Sequence, residues 1–246
     1  IESLSSIPSN IIIYNNPLKK QNMDTPEIYI SYAWTSESEE ILKELCATFD
    51  ENDIRYFVDK KDVEYRGNIR EFEERLGKGD YIILIISDKF LKSKDCMYEV
   101  LQIMNKGGDF SQRIYPIVLS DAKIYEPEYI IDYIKHWEDK KASLNDKMKT
   151  IGSEFLSGLH TVIDNYTKYR EIIDNLINIL KEMNNLSPDI HRDSKFKQLI
   201  DSLKDQHAFN DKKDITQKEF QNMNSRSINQ YGSKSVYIEK NEGDVN

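Results

Sequence analysis

The sequence predicts a doubly wound α/β fold, a parallel β-sheet flanked by helices, with additional C-terminal helices. Three observations carry this. Short β-rich runs alternate with segments of helical periodicity between residues 27 and 120. One of these runs, residues 81–86, is apolar without interruption, as a central parallel strand covered on both faces requires. After Leu119 the alternation ends and only helical spacing continues.

Residues 1–26 are rich in Ser, Asn and Pro and read as an irregular leader. Ile28, Tyr29, Ile30, Ser31 and Tyr32 form the first β-rich run, and Ser36 with Glu39 reads as a capping box. Ile41, Leu42, Leu45 and Phe49 then place one apolar stripe on a helix. Residues 54–58 read as a second strand, followed by a polar loop over 59–67. Ile69, Phe72 and Leu76 mark a second helix, which Gly77-Lys78-Gly79 ends. The third strand is 81–86, the third helix 95–106, and the fourth strand 113–119.

From 128 to 183 the apolar residues keep helical spacing without a convincing fifth strand, so two or three long helices are expected there. A further helix is expected over 194–203. The domain is therefore drawn at 27–184, with a short helical segment at 185–209. Residues 210–229 are a polar linker, and Ser235 to Ile238 form one short strand in a final segment, 210–246. Ile1 in place of Met, and a last strand without a partner, lead to the expectation of a longer parent chain with a fused or associated sensor module.

The formal charge of −9 argues against a nucleic-acid or anionic-membrane partner, because no basic excess exists to neutralise phosphates. Cys46 and Cys96 lie among apolar residues and form no C-x-x-C pair. With four scattered histidines they give no zinc pattern. Reduced core cysteines, no long apolar run and no signal-peptide pattern point to a cytoplasmic protein without a membrane span. There is no G-x-G-x-x-G, P-loop, G-x-S-x-G or H-E-x-x-H.

In an open α/β sheet, ligands bind at the carboxyl ends of the strands where strand order reverses. For a flavodoxin-like order that point lies between the first and third strands, where Ser31, Tyr32, Ala33, Trp34, Ser87, Asp88 and Lys89 leave the sheet. On a helical wheel Glu99 groups with Asp95, Gln102 and Lys106 on a polar face, while Cys96, Val100 and Ile103 face inward. Read from residues alone, a glutamate there is solvated surface. Tyr32 and Trp34 either stack on a ligand's rings or pack the sheet edge. Ser31 and Ser87 either bind ribose and phosphate or cap the following turn.

Five segments in order sharpen this reading. They are Ile30-Ser31-Tyr32-Ala33-Trp34, Phe57-Val58-Asp59, the loop closing on Gly67, Ile85-Ile86-Ser87, and Ser93-Lys94-Asp95-Cys96-Met97-Tyr98-Glu99. Together they resemble the Toll/interleukin-1 receptor (TIR) domain in its bacterial form, over roughly residues 27–120. The resemblance implies cleavage of NAD⁺ at the nicotinamide–ribose bond, with Glu99 catalytic and Ser31, Tyr32, Trp34, Arg66 and Ser87 binding substrate. NAD⁺ enters as substrate, and neither cofactor nor metal is implied. The family also implies self-association through the loop that holds Lys60, Asp62, Glu64 and Gly67, and a role in bacterial immune or cell-death signalling.

Two positions depart from active relatives: Asp95 stands where tryptophan is frequent, and Ala33 where some carry arginine. The competing readings are a non-catalytic TIR adaptor and a response-regulator-like switch. The switch is disfavoured because Ser31 and Tyr32 occupy the place of its acidic cluster.

Overall fold

The computed structural model describes residues 26–58, 69–107, 109–150 and 157–208. Four parallel strands, β1 (Ile28–Tyr32), β2 (Tyr56–Val58), β3 (Tyr81–Ile86) and β4 (Ile114–Val118), lie in the order β2-β1-β3-β4. This is the doubly wound parallel sheet, and its order reverses between β1 and β3. Every residue of β1 and β3 is buried, which explains the uninterrupted apolar run in β3.

Among the described residues these helices accompany the strands: α1 (Ser36–Glu51), α2 (Ile69–Lys78), α3 (Asp88–Leu91), α4 (Lys94–Asn105), α5 (Pro127–Met148), α6 (Ser157–Glu182) and α7 (Pro188–Asp193). Residues 197–208 are also helical, and the boundary between two compact units of the chain falls inside that stretch, at Leu199–Ile200. Among the described residues no helix is long and apolar enough to cross a membrane. The leader, the 59–67 loop and the segment from 210 onward lie outside the described residues.

Several local expectations are corrected. The cap of α1 sits one residue earlier than Ser36. Thr35 has extended backbone, its Oγ accepts from Ser38 N at 3.1 Å, and Ser38 Oγ accepts from Thr35 N at 3.0 Å. The reciprocal pair is Thr-Ser, and Glu39 plays no part in it. Ile54 does not begin β2. Its N–H closes onto Phe49 O at 2.9 Å as α1 terminates, with Asp53 in the left-handed region at φ 56°. The short helix α3 was not anticipated. It fits because Ser87 caps it, accepting from Phe90 N at 3.0 Å.

Helix α4 packs against α2 and α6, and α5 against α6. Trp137 of α5 is buried, donates from Nε1 to Leu91 O at 3.1 Å, and meets the Tyr169 ring of α6 at 5.0 Å. The core therefore runs without a break from the sheet into the α5–α6 hairpin, through Tyr169, Ile173, Leu176, Ile177 and Leu180.

Gly77 and Gly79 serve this packing. A Cβ on Gly77 would stand 2.7 Å from Gln102 Cβ, and one on Gly79 would stand 2.5 Å from the Tyr29 ring. Arg113 donates to Gly77 O at 2.6 Å and to Gly79 O at 2.8 Å, a cation on the carbonyl end of α2. These glycines lie at the amino end of β3, away from the crevice, and cannot cradle a pyrophosphate there.

Candidate functional site

Ser31, Tyr32, Ala33, Trp34 and Ser87 stand at the adjacent carboxyl ends of β1 and β3, where an open α/β sheet places its ligand crevice. The register pairs Ser31 with Leu84 and Tyr32 with Ile85, so both strands end at the same level. Helix α4 crosses behind them. Its N-cap Ser93 accepts from Cys96 N at 3.4 Å, and Cys96 Sγ donates to Tyr32 O at 3.6 Å. These contacts tie the first turn of α4 to β1 and set the position of its second turn.

Glu99 belongs to that turn, and it is fully buried. The reading that placed it on a solvated helix face is corrected. Its carboxylate Oε2 accepts a hydrogen bond from the Ser31 hydroxyl. Residues 96, 99, 100 and 103 follow i, i+3, i+4, i+7 spacing, so Glu99 shares the inward stripe with Cys96, Val100 and Ile103. That spacing was the sequence signal for its burial. Charged side chains are almost never fully buried unless a specific contact or function holds them.

The remaining candidates divide. Ser31, Tyr32 and Ser87 are buried, whereas Trp34 is 58% exposed. The Ser87 hydroxyl oxygen is engaged in capping α3. Lys89, exposed on α3, donates from Nζ to Trp34 O at 2.7 Å and so spans from the β3 side to the β1 side. Sequence reasoning named this lysine only as a residue leaving the sheet. Lys92 forms an ion pair with Asp88 at 2.7 Å and stands 5.3 Å from the Tyr133 ring centroid. Burial, and then the charge of Asp88, push the Tyr133 phenol well above its ordinary range. Ala33 is buried, and Asp95 sits in the first turn of α4. Arg66, Lys60, Asp62, Glu64 and Gly67 lie outside the described residues.

A concavity of about 440 Å³ lies at the carboxyl end of β4, between Ser120, Tyr125 and the α6–α7 connection at Asn185. Asn185 Nδ2 donates to Tyr125 Oη at 3.3 Å across its wall.

Comparison with known proteins agrees with this architecture. A family model described as the TIR domain matches residues 28–148. Among solved structures, the TIR domains of the activated Roq1 resistosome, which directly recognises the pathogen effector XopQ, superpose with a TM-score of 0.50 at 16% identity. That alignment covers 71% of this chain and 99% of the other. No curated protein matches the sequence. Four described parallel strands in this order, a family match that begins at the first residue of β1, and a solved TIR domain of the same fold lead to one conclusion: residues 28–148 of this chain are a TIR domain.

Proposed function

We propose that this TIR domain cleaves NAD⁺ at the nicotinamide–ribose bond, releasing nicotinamide and ADP-ribose or a cyclic ADP-ribose. The observation that supports this best is Glu99, a carboxylate held by Ser31 and buried beneath the switch point. The nicotinamide of NAD⁺ is cationic and departs neutral, so its release requires no general acid. What develops is positive charge at the ribosyl carbon, and a carboxylate in a dry site stabilises that charge strongly. Water attack on that carbon gives ADP-ribose; attack by a nitrogen of the substrate's own adenine gives a cyclic product. Trp34, exposed at the end of β1, is the aromatic residue proposed to stack on the substrate's rings.

Glu99 has no exposed surface in this conformation, so the substrate-competent form has to open over it. Such a requirement suits an enzyme switched on by self-association, and the resistosome to which the similar TIR domains belong is an activated assembly. The charged loop with Lys60, Asp62, Glu64 and Gly67 is the proposed contact, in an immune or cell-death signalling role. The burial of Glu99 also favours a second reading, a non-catalytic adaptor in which the Ser31–Glu99 contact is structural.

Nicotinamide release from NAD⁺, followed chromatographically at rising protein concentration and on a clustering scaffold, separates the two. Specific activity should climb with clustering, and Gly67→Val should abolish the climb. A folded, clustered chain that releases no nicotinamide would leave the adaptor reading standing.

A further inference from the structure

Among the described residues the switch point has no glycine cradle, since Gly77 and Gly79 are packed against Gln102 and Tyr29 at the other end of β3. With no such cradle there, cationic side chains are the natural counter-charge for a diphosphate bound between β1 and β3. Helix α3 and its C-cap bring two ammonium groups to this rim. That of Lys92 is neutralised by Asp88 at 2.7 Å. That of Lys89 contacts the uncharged carbonyl of Trp34 at 2.7 Å, and an ammonium has three N–H groups to donate. The bond carries the Lys89 charge across the crevice, beside the exposed indole of Trp34.

We infer that Lys89 binds the diphosphate of a dinucleotide seated between the ends of β1 and β3, with the Trp34 carbonyl holding its ammonium in place beforehand. This rests on the NAD⁺ reading above and adds to it the group that meets the substrate's two negative charges. Pre-positioning reduces the side-chain entropy that a long, exposed lysine otherwise loses on binding.

The test is equilibrium binding of radiolabelled ADP-ribose and adenosine to the full chain clustered on beads, comparing wild type, Lys89→Met and Lys89→Arg. Lys89→Met should weaken ADP-ribose about tenfold, the typical worth of one charge-assisted hydrogen bond, and should flatten its salt dependence. Adenosine, which has no diphosphate, should be affected less than about twofold, and Lys89→Arg should retain most of the ADP-ribose affinity. Thermal melts confirm that each variant is folded. A merely structural lysine would weaken both ligands equally, and that result overturns the assignment. Unchanged ADP-ribose affinity in Lys89→Met overturns it as well, while sparing the NAD⁺ reading. Failure of clustered wild-type protein to bind ADP-ribose overturns both.

Discussion

Replacing Glu99 by Gln and by Ala separates its chemical role from its structural one. Gln keeps the volume and a carbonyl oxygen that the Ser31 hydroxyl can still reach, but removes the charge. If Glu99 stabilises the ribosyl cation, either change should lower nicotinamide release by roughly 10²- to 10³-fold, the usual cost of deleting one electrostatic stabiliser. Stability should move in opposite directions. The wild-type fold holds a carboxylate with no exposed surface, and a neutral amide is easier to remove from water. Glu99→Gln should therefore match or exceed wild type, by up to about 1 kcal/mol, equivalent to a melting point ~2–4 °C higher in a chain of this size. Glu99→Ala leaves a void beneath α4 and strips the buried Ser31 hydroxyl of its acceptor, at a combined cost of about 2–4 kcal/mol. Urea titration with a paired nicotinamide assay measures both quantities. Wild-type turnover in a folded Glu99→Gln protein would refute the catalytic assignment. A Glu99→Gln protein destabilised as much as Glu99→Ala would refute the argument from burial.

Two further outcomes follow from the same geometry. Gly79→Ala drives a methyl to 2.5 Å from the Tyr29 ring, which is buried and stacked on Phe57 at 5.0 Å and cannot retreat; a loss of about 1–3 kcal/mol in urea titration is expected, and a neutral effect would contradict it. His191 is buried, neither ring nitrogen has a hydrogen-bond partner, and desolvation lowers its pKa below the ordinary 6.5. Below pH 6.5 the unfolded chain takes up a proton that the folded one resists, so stability is lost as pH falls from 6.5 toward the depressed folded pKa, and His191→Leu should shallow that fall in melts between pH 7.5 and 5.5.

The sheet was legible because its signal is purely apolar. Tyr81–Ile86 can be buried on both faces in only a few ways, and strand–helix alternation then fixes parallel pairing. The reversal of strand order between β1 and β3 was legible from the same alternation. What failed to show were features decided by a single tertiary contact. Glu99 was sorted by its charge onto the polar side of α4, although it lies only about 60° from Cys96 on the wheel; its burial depends on Ser31, 68 residues away. Helix α3 is four residues long, too short for any periodicity, and exists because one serine caps it. Thr35, not Ser36, caps α1 because its backbone is the extended one, a distinction invisible in a Thr-Ser pair. The Lys89–Trp34 bond joins helix α3 to the turn after β1, 55 residues apart, so no local pattern encodes it.

The Trp137 indole gives the α5–α6 hairpin a mechanical meaning. Its ring is wedged against Tyr169 of α6, and its N–H grips the last carbonyl of α3, two residues beyond Lys89. A tug on α6 thus reaches the crevice rim in two rigid steps, ring to ring and then N–H to carbonyl, with no flexible loop between to absorb it. The family match stops at residue 148, yet the linkage that would carry such a tug runs through residues beyond it. A fragment cut at that boundary would keep every crevice residue and lose the lever.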